Sequence, residues 1–113
     1  MLIGADGSTE SVRGMVDTGA MFTVVPASIL RRLGVHPITE IPVQFATGEV
    51  RQWQLGEAQA ELQGLKRPIL VFFGAEDAPV LIGAHTLEAF LFDVDLVEKR
   101  LVPKTALLMV TNA

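Results

Sequence analysis

The residue of this chain best placed for chemistry is Asp17, which stands between a short apolar run and a glycine in the segment Met-Val-Asp-Thr-Gly-Ala, residues 15–20. A carboxylate held at the end of a strand beside a glycine corner is fixed in position while it faces a cleft, which suits acid–base catalysis. The sequence lacks the other common catalytic groups. It has no cysteine, no glycine-rich phosphate loop, no serine in a nucleophile elbow, and only two histidines, His36 and His85, without zinc-ligand spacing. We therefore predict carboxylate chemistry that needs no metal and no cofactor.

The elements that must position Asp17 are predicted to be short strands, because glycine and proline interrupt β-rich runs about every ten residues. Residues 22–25 form such a run, and residues 27–33 read as a short helix that follows Pro26 and ends before Gly34. Residues 41–45 and 50–55 alternate apolar and polar side chains on either side of a polar tip. They predict a projecting hairpin.

The second half of the chain repeats part of this pattern. Residues 69–73 are continuously apolar, which predicts a strand covered on both faces. Residues 80–84 run apolar side chains into a Gly-Ala corner, a faint echo of the segment around Asp17. Residues 86–90 favour one or two helical turns, residues 91–103 favour a hairpin, and residues 106–110 could form an edge strand.

Length and composition limit the class of protein. The 113 residues fit a single domain, 1–113. Nine basic against thirteen acidic residues, with no basic run, argue against a nucleic-acid partner, and the longest apolar stretches are too short to span a membrane. A mean hydropathy of +0.41 with 19% charged residues favours a buried subunit interface and hence an oligomer. The N-terminal residues lack the pattern of a signal peptide, so we expect a cytoplasmic protein.

The segment 15–20 and the run 22–26 that follows it resemble the active-site segment of retropepsin-like aspartic proteases, above all the small bacterial stand-alone members. The hairpin around Thr47 and Gly48 falls where that family has its flap. Residues 80–84 fall where it has an apolar-apolar-Gly motif before its C-terminal helix. The resemblance covers nearly the whole chain in order. It implies an all-β fold, a closed β-barrel of the retropepsin type with one or two short helices and a β-hairpin flap.

The resemblance also implies a mechanism and a partner. Peptide hydrolysis of this kind uses two aspartates that share one proton, one activating a water and the other protonating the scissile carbonyl. This chain has one such motif, so a homodimer would bring Asp17 and its symmetry mate together. By the same resemblance, Thr18 would hydrogen-bond across the twofold axis, and Gly19 would let the backbone approach an extended peptide or unfolded protein substrate.

The resemblance implies that substrate is bound by residues after the catalytic triplet, at the flap tip and beside the second corner: Ala20, Ala46, Thr47, Gly48, Leu81, Ile82 and Gly83. The chain departs from the retroviral pattern near these positions. Met21 and Phe22 stand where retroviral enzymes carry acidic residues, and Ala84 or His85 stands where they carry an arginine. A flap tip with a single glycine predicts a stiffer lid.

Two functions of different classes therefore remain open. The first is an aspartic endopeptidase. The second is a catalytically weak or inactive protease-like module for dimerisation or peptide binding. The intact Asp-Thr-Gly triplet favours the enzyme, and the altered Met21 and Phe22 keep the module in consideration.

Two further features of the sequence have alternative interpretations. Trp53 could line the substrate cleft or pack against Leu55 and the core. Asp93 and Asp95 could form a second carboxylate pair, but two strand residues beside Lys99 and Arg100 are more typical of a solvated hairpin face.

Overall fold

The computed structural model describes residues 1–106. Within them, strands and two short helices confirm the predicted all-β class. The elements are β1 (Leu2–Ile3), β2 (Thr9–Glu10), β3 (Gly14–Val16), β4 (Thr23–Pro26), α1 (Ala27–Arg32), β5 (Pro37–Gln44), β6 (Val50–Leu62), β7 (Leu65–Gly74), β8 (Val80–Ile82), α2 (Ala84–Phe90), β9 (Phe92–Asp95) and β10 (Arg100–Pro103).

Eight strands form one curled sheet in the order β2-β1-β6-β7-β4-β8-β3, with β5 paired to β6. Two pairs are parallel, β3 with β8 and β4 with β7. In the described part of the chain, β2 and β3 are at the two ends of this strand order and do not pair with each other. Closure of the sheet into a barrel therefore stays a prediction.

The sheet separates two apolar clusters, and β7 supplies side chains to both. Ile69 and Val71 enter the larger cluster, which also contains Leu30 of α1 and Leu87 of α2. The alternate residues, Leu70 and Phe72, enter the second cluster on the opposite face, together with Val24 and Leu55. Successive strand residues point to opposite faces, so a continuously apolar strand must be covered twice, as predicted for residues 69–73.

The β5–β6 hairpin is longer than predicted. β6 continues past Leu55 as one strand of 13 residues. At Gly56 the strand lies close to its neighbours, since a Cβ there would be 3.0 Å from the carbonyl oxygen of His36 and 3.0 Å from the ring of Phe73. β6 pairs with β7 only from Leu55 onward, so its preceding residues, 50–54, pair only with β5. The hairpin tip therefore projects from the body of the sheet.

The C-terminal segment forms a separate two-stranded sheet. β9 and β10 pair antiparallel, from Phe92 opposite Pro103 to Asp95 opposite Arg100, which confirms the predicted hairpin. The predicted edge strand at residues 106–110 lies outside the described residues, except for Ala106. Neither described helix has the length and apolarity that crossing a membrane requires.

Helix α1 occupies the predicted site, between Pro26 and the left-handed Gly34 with φ of 77°. Its N-terminus has no local side-chain cap. Instead, Glu76 from the β7–β8 loop accepts a hydrogen bond from the Ser28 amide at 2.9 Å and another from the Ser28 hydroxyl. The pKa of the Glu76 carboxyl is held below its ordinary value, chiefly by the Ser28 hydroxyl and then by the Ser28 amide. Glu76 thus ties the loop before β8 to the helix after β4.

We predict that Glu76→Gln lowers the melting temperature at about pH 7 because the amide is a weaker acceptor at the helix N-terminus. A carboxyl with a lowered folded pKa stabilises the fold above its unfolded pKa, and this contribution is lost as pH falls through the folded pKa. The difference from wild type should therefore shrink between about pH 7 and about pH 3 in thermal unfolding. Glu57→Gln on the exposed face of β6 is the control, and an equal difference at both pH values would contradict the cap.

Candidate active site

Asp17 directly follows β3, and its surroundings fix both its backbone and its side chain. Its amide donates to the carbonyl oxygen of Ile82 at 2.9 Å, and its carbonyl accepts from the Ala20 amide at 3.1 Å. Its carboxylate oxygen Oδ1 accepts from the Gly19 amide at 3.0 Å. The side chain is half-buried. The carboxylate is thus oriented by a tight turn while remaining accessible to water or substrate.

The loop that carries Asp17 is joined to the Gly-Ala corner after β8. Ala84 and His85 donate their amides to the carbonyl oxygens of Ala20 and Met21, at 2.8 and 2.9 Å. Since β3 and β8 also pair in parallel, the two similar segments of the sequence lie side by side. The faint echo between them therefore corresponds to a direct contact, in which each corner supports the other.

A buried pair of threonines completes this junction. Thr23 and Thr86 share a hydrogen bond of 2.6 Å between their hydroxyls, and the Thr23 hydroxyl also accepts the Gly83 amide at 3.1 Å. Gly83 is required here by space: an added Cβ would lie 2.5 Å from the carbonyl carbon and oxygen of Phe22. Backbone atoms cannot withdraw as a flexible side chain can, so the two loops approach this closely only at a glycine.

A cleft of about 610 Å³ opens between the Asp17 loop and the β5–β6 hairpin. Of the predicted site residues it brings together Asp17, Gly19, Ala20, Ala46 and Leu81. The other five lie outside its lining. Thr18 is exposed beside it, Thr47 and Gly48 are exposed in the hairpin turn, Ile82 packs against the larger apolar cluster, and Gly83 supports the loop junction.

Most of the cleft wall consists of residues that sequence reasoning did not assign to it. Asp17 is the sole ionisable side chain among the lining residues in the described part of the chain. The alternation along residues 41–45 could have identified part of this lining, because the apolar side chains of a projecting hairpin share one face, and here that face lines the cleft. The unassigned lining residues are Met21, Phe22, Val24, Ile41, Pro42, Val43, Gln44, Phe45 and Phe72; Trp53, for which the sequence left two interpretations open, also lines the cleft.

Four aromatic rings run along this wall in edge-to-face contact. Phe45 at the hairpin tip meets Trp53 at 5.4 Å, Trp53 meets Phe72 at 5.3 Å, and Phe72 meets Phe22 at 5.4 Å between ring centroids. Both interpretations of Trp53 therefore hold, since it lines the cleft and packs against the cluster that contains Leu55. The rings connect the hairpin to the loop of Asp17.

An ion pair lies at the hairpin tip. The Arg51 guanidinium donates to Glu49 at 2.8 Å and lies 5.6 Å from the centre of the Phe45 ring. The Arg51 side chain, by its hydrogen bond and then its charge, lowers the pKa of the Glu49 carboxyl, and Glu49 in turn raises the pKa of Arg51. Both side chains are more than half exposed, so the pair contributes little to stability.

The other acidic residues considered in the sequence have structural surroundings. Asp93 accepts the amide of Val94, and Asp95 accepts the amides of Val97 and Glu98 in the turn between β9 and β10. These contacts agree with a solvated hairpin face. Across residues 1–106, no group of three or more His, Asp and Glu side chains is arranged to hold a metal ion.

Comparison with known proteins agrees with this geometry. A family model described as "Aspartyl protease" matches residues 4–86, well over half of the chain, including the Asp17 loop, the hairpin and the Gly83 corner. The chain belongs to the aspartyl protease family. The solution structure of the simian foamy virus protease is 22% identical, with a TM-score of 0.53 over 68% of this chain and 80% of that chain. No curated protein matches the sequence.

The comparisons confirm the resemblance drawn from the sequence. At 22% identity the viral protease shows the fold, which is retropepsin-like. The family match shows that the segment around Asp17 belongs to an aspartyl protease domain.

We predict that Thr23→Val destabilises the protein by about 1–3 kcal/mol, because it removes the acceptor of the buried Gly83 amide and the partner of Thr86. Thr23→Ser keeps the hydroxyl and is the matched control. Chemical denaturation measures both. Equal stability of Thr23→Val and Thr23→Ser would show that the hydroxyl does not hold the junction.

Proposed function

We propose that this aspartyl protease domain is one half of an aspartic endopeptidase, in which two Asp17 carboxylates, one from each subunit of a homodimer, activate a water between them. The observation that carries the proposal is the position of Asp17, which is oriented by the Gly19 amide and is the sole charged side chain among the described residues that line the cleft. Family membership supports the same reaction class.

The proposed reaction uses the two carboxylates in different protonation states. One is ionised and takes a proton from the water, and the other is protonated and donates to the scissile carbonyl. Two negative carboxylates in an apolar cleft would repel each other strongly, so a shared proton is the favoured arrangement. Catalytic roles are proposed for Asp17, for Thr18 as a contact between the loops of the two subunits, and for Gly19 as the donor that orients the carboxylate.

Exposed apolar side chains, two of them close to Asp17 in the sequence, support the homodimer. Met15 and Met21, on either side of Asp17 in the sequence, are 62% and 68% exposed. Leu96 and Val97 in the β9–β10 turn are 82% and 87% exposed. Large apolar side chains that a single subunit leaves in water are stabilised when a second subunit covers them.

The β5–β6 hairpin is proposed to be a flap that covers an extended peptide. Its tip projects beyond the paired body of the sheet, and its inner face lines the cleft above Asp17. A bound segment of peptide or unfolded protein would lie between flap and loop as an added strand. We retain four further residues as proposed substrate contacts when the flap is closed: Thr47, Gly48, Ile82 and Gly83. The cytoplasmic location also remains a prediction.

One observation favours the alternative of a peptide-binding module. Met21 and Phe22 line the cleft, so Asp17 has no second charged group beside it within the described subunit. A module that binds peptides without cleaving them would need no such group. Turnover that depends on Asp17 separates the two functions.

We predict that Asp17→Asn lowers the turnover of a denatured-protein substrate by roughly four orders of magnitude, as expected when one member of a catalytic unit is removed. Asp77→Asn, which changes an exposed carboxylate of the β7–β8 loop, should leave turnover unchanged.

Wild-type activity should follow a bell-shaped pH profile, since one proton must remain on the pair of Asp17 carboxylates, and EDTA should have no effect. Activity that rises steadily into alkaline pH, or is lost with EDTA, would refute this mechanism.

We also predict that the two subunits share one site. Mixed dimers of wild type and Asp17→Asn hold one competent carboxylate and should be nearly inactive. An equimolar mixture should therefore keep about a quarter of its dimers fully wild type after random pairing. Co-refolding at several ratios, with turnover measured in each, tests this. Activity strictly proportional to the wild-type fraction, from a protein that sediments as a monomer, would contradict a shared site.

A further inference from the structure

The distal part of the β5–β6 hairpin is held to the body of the protein by side chains alone. Within residues 1–106, the backbone of β5 pairs with β6 and with no other strand, and β6 begins to pair with β7 only at Leu55. A two-stranded ribbon without further support is marginally stable in water. Its position over the cleft must therefore depend on a small number of side-chain contacts.

Burial identifies these contacts. Between residues 37 and 53, the side chains that are not exposed are Ile41, Val43, Phe45 and Trp53. They share one face, because Ile41 and Val43 alternate along β5, Phe45 continues this alternation just after the strand, and Ile41 lies opposite Trp53 in the pairing register. The outer face is in water, and Ile38 on β5 is 65% exposed. Among the described residues, the side chains that attach the distal hairpin to the body are thus all on the face that lines the cleft.

Trp53 is the largest of the four and the one that joins the tip to the body. Its ring meets Phe45 at the tip and Phe72 of β7 in the body, both edge to face. Phe72 is buried and in turn meets Phe22, which lies five residues after Asp17. Ile41 and Val43 pack against the same cluster but carry no ring to span from tip to body.

We propose that Trp53 is the positioning residue of the hairpin: its edge-to-face contact with Phe72 latches the hairpin over Asp17, and peptide enters the cleft when this contact opens. The latch itself is a property of the peptide-free chain. Its effect on catalysis rests on the proposed function. Beyond the burial of its apolar surface, an aromatic pair of this kind shifts an equilibrium by about tenfold at most, which suits a contact that must open and reclose during turnover.

Hydrogen exchange of the peptide-free protein tests the latch directly. Trp53→Leu and Phe72→Leu remove the ring from either side of the contact, so each should speed exchange of the amides between residues 43 and 51 by roughly tenfold. Amides of β6 and β7 beyond Leu55 should keep their protection. Trp53→Phe retains a ring and should restore most of the protection.

Two controls separate the latch from general destabilisation. Phe73→Leu truncates the neighbouring ring on β7, which packs on the opposite face in the larger cluster. Ile38→Ala changes the outer face of the hairpin itself. Both should leave exchange of residues 43–51 at the wild-type rate. Wild-type exchange in both Trp53→Leu and Phe72→Leu, or equal acceleration in Phe73→Leu, would overturn the proposal.

Trp53 is the single tryptophan of the chain, so its fluorescence provides a second readout. In Phe72→Leu the indole loses its partner, and its emission should move to longer wavelength and become more sensitive to acrylamide. Unchanged emission and quenching in this variant, compared with wild type, would contradict the contact. This measurement does not require turnover.

Kinetics then connect the latch to the proposed endopeptidase. If the hairpin must close on the peptide, Trp53→Leu should raise KM by roughly three- to tenfold and Trp53→Phe should largely restore it. If Trp53→Leu only destabilised the fold, it would lower the amount of active enzyme and leave KM at the wild-type value. An unchanged KM would therefore overturn the role of Trp53 in substrate binding. If wild type shows no Asp17-dependent turnover, the proposed function fails, while exchange and fluorescence still decide the latch.

Discussion

The structure depends on the close crossing of two loops, where the Gly83 amide donates to the buried hydroxyl of Thr23. The crossing is tight enough to exclude any Cβ at Gly83, and it brings the amides of Ala84 and His85 onto carbonyl oxygens of the Asp17 loop. A buried amide without an acceptor is costly, so these hydrogen bonds strongly favour one arrangement of the loops. The position of Asp17 follows from this arrangement, since its own amide is held by Ile82 one residue before Gly83.

Local features of the sequence predicted much of the fold. Helix α1 follows from Pro26 and Gly34, the covered strand follows from the apolar run at 69–73, and the hairpin follows from alternation around a polar tip. Asp17 stood out because it directly follows an apolar run and begins the Asp-Thr-Gly triplet at a glycine corner. Each of these signals lies within one stretch of about fifteen residues or fewer, so no knowledge of tertiary contacts was required.

The features that could not be predicted all join residues distant in sequence. Glu76 caps a helix that begins almost fifty residues earlier, Thr86 meets Thr23 across 63 positions, and Phe72 meets Trp53 between two strands. No local pattern specifies such pairs, because each residue by itself is ordinary for its element. The predicted cleft lining was incomplete for the same reason. Most of the wall comes from β4, β5, β6, β7 and the residues just before β4, while the sequence pointed to the segments around three glycines, Gly19, Gly48 and Gly83.

The two sides of the cleft are stabilised by different forces, and this difference fits the proposed reaction. The Asp17 loop is held by short backbone hydrogen bonds and a buried hydroxyl pair, which are directional and tolerate little displacement. The hairpin tip is held by apolar and aromatic contacts, which are individually weak and can separate at small cost. A reacting carboxylate must be fixed to within a fraction of an ångström, whereas a lid must move by several. If the Asp17 loop were held only by apolar contacts and the hairpin by directional hydrogen bonds, the carboxylate would be mobile and the lid fixed. A cleft of the same size would then catalyse poorly.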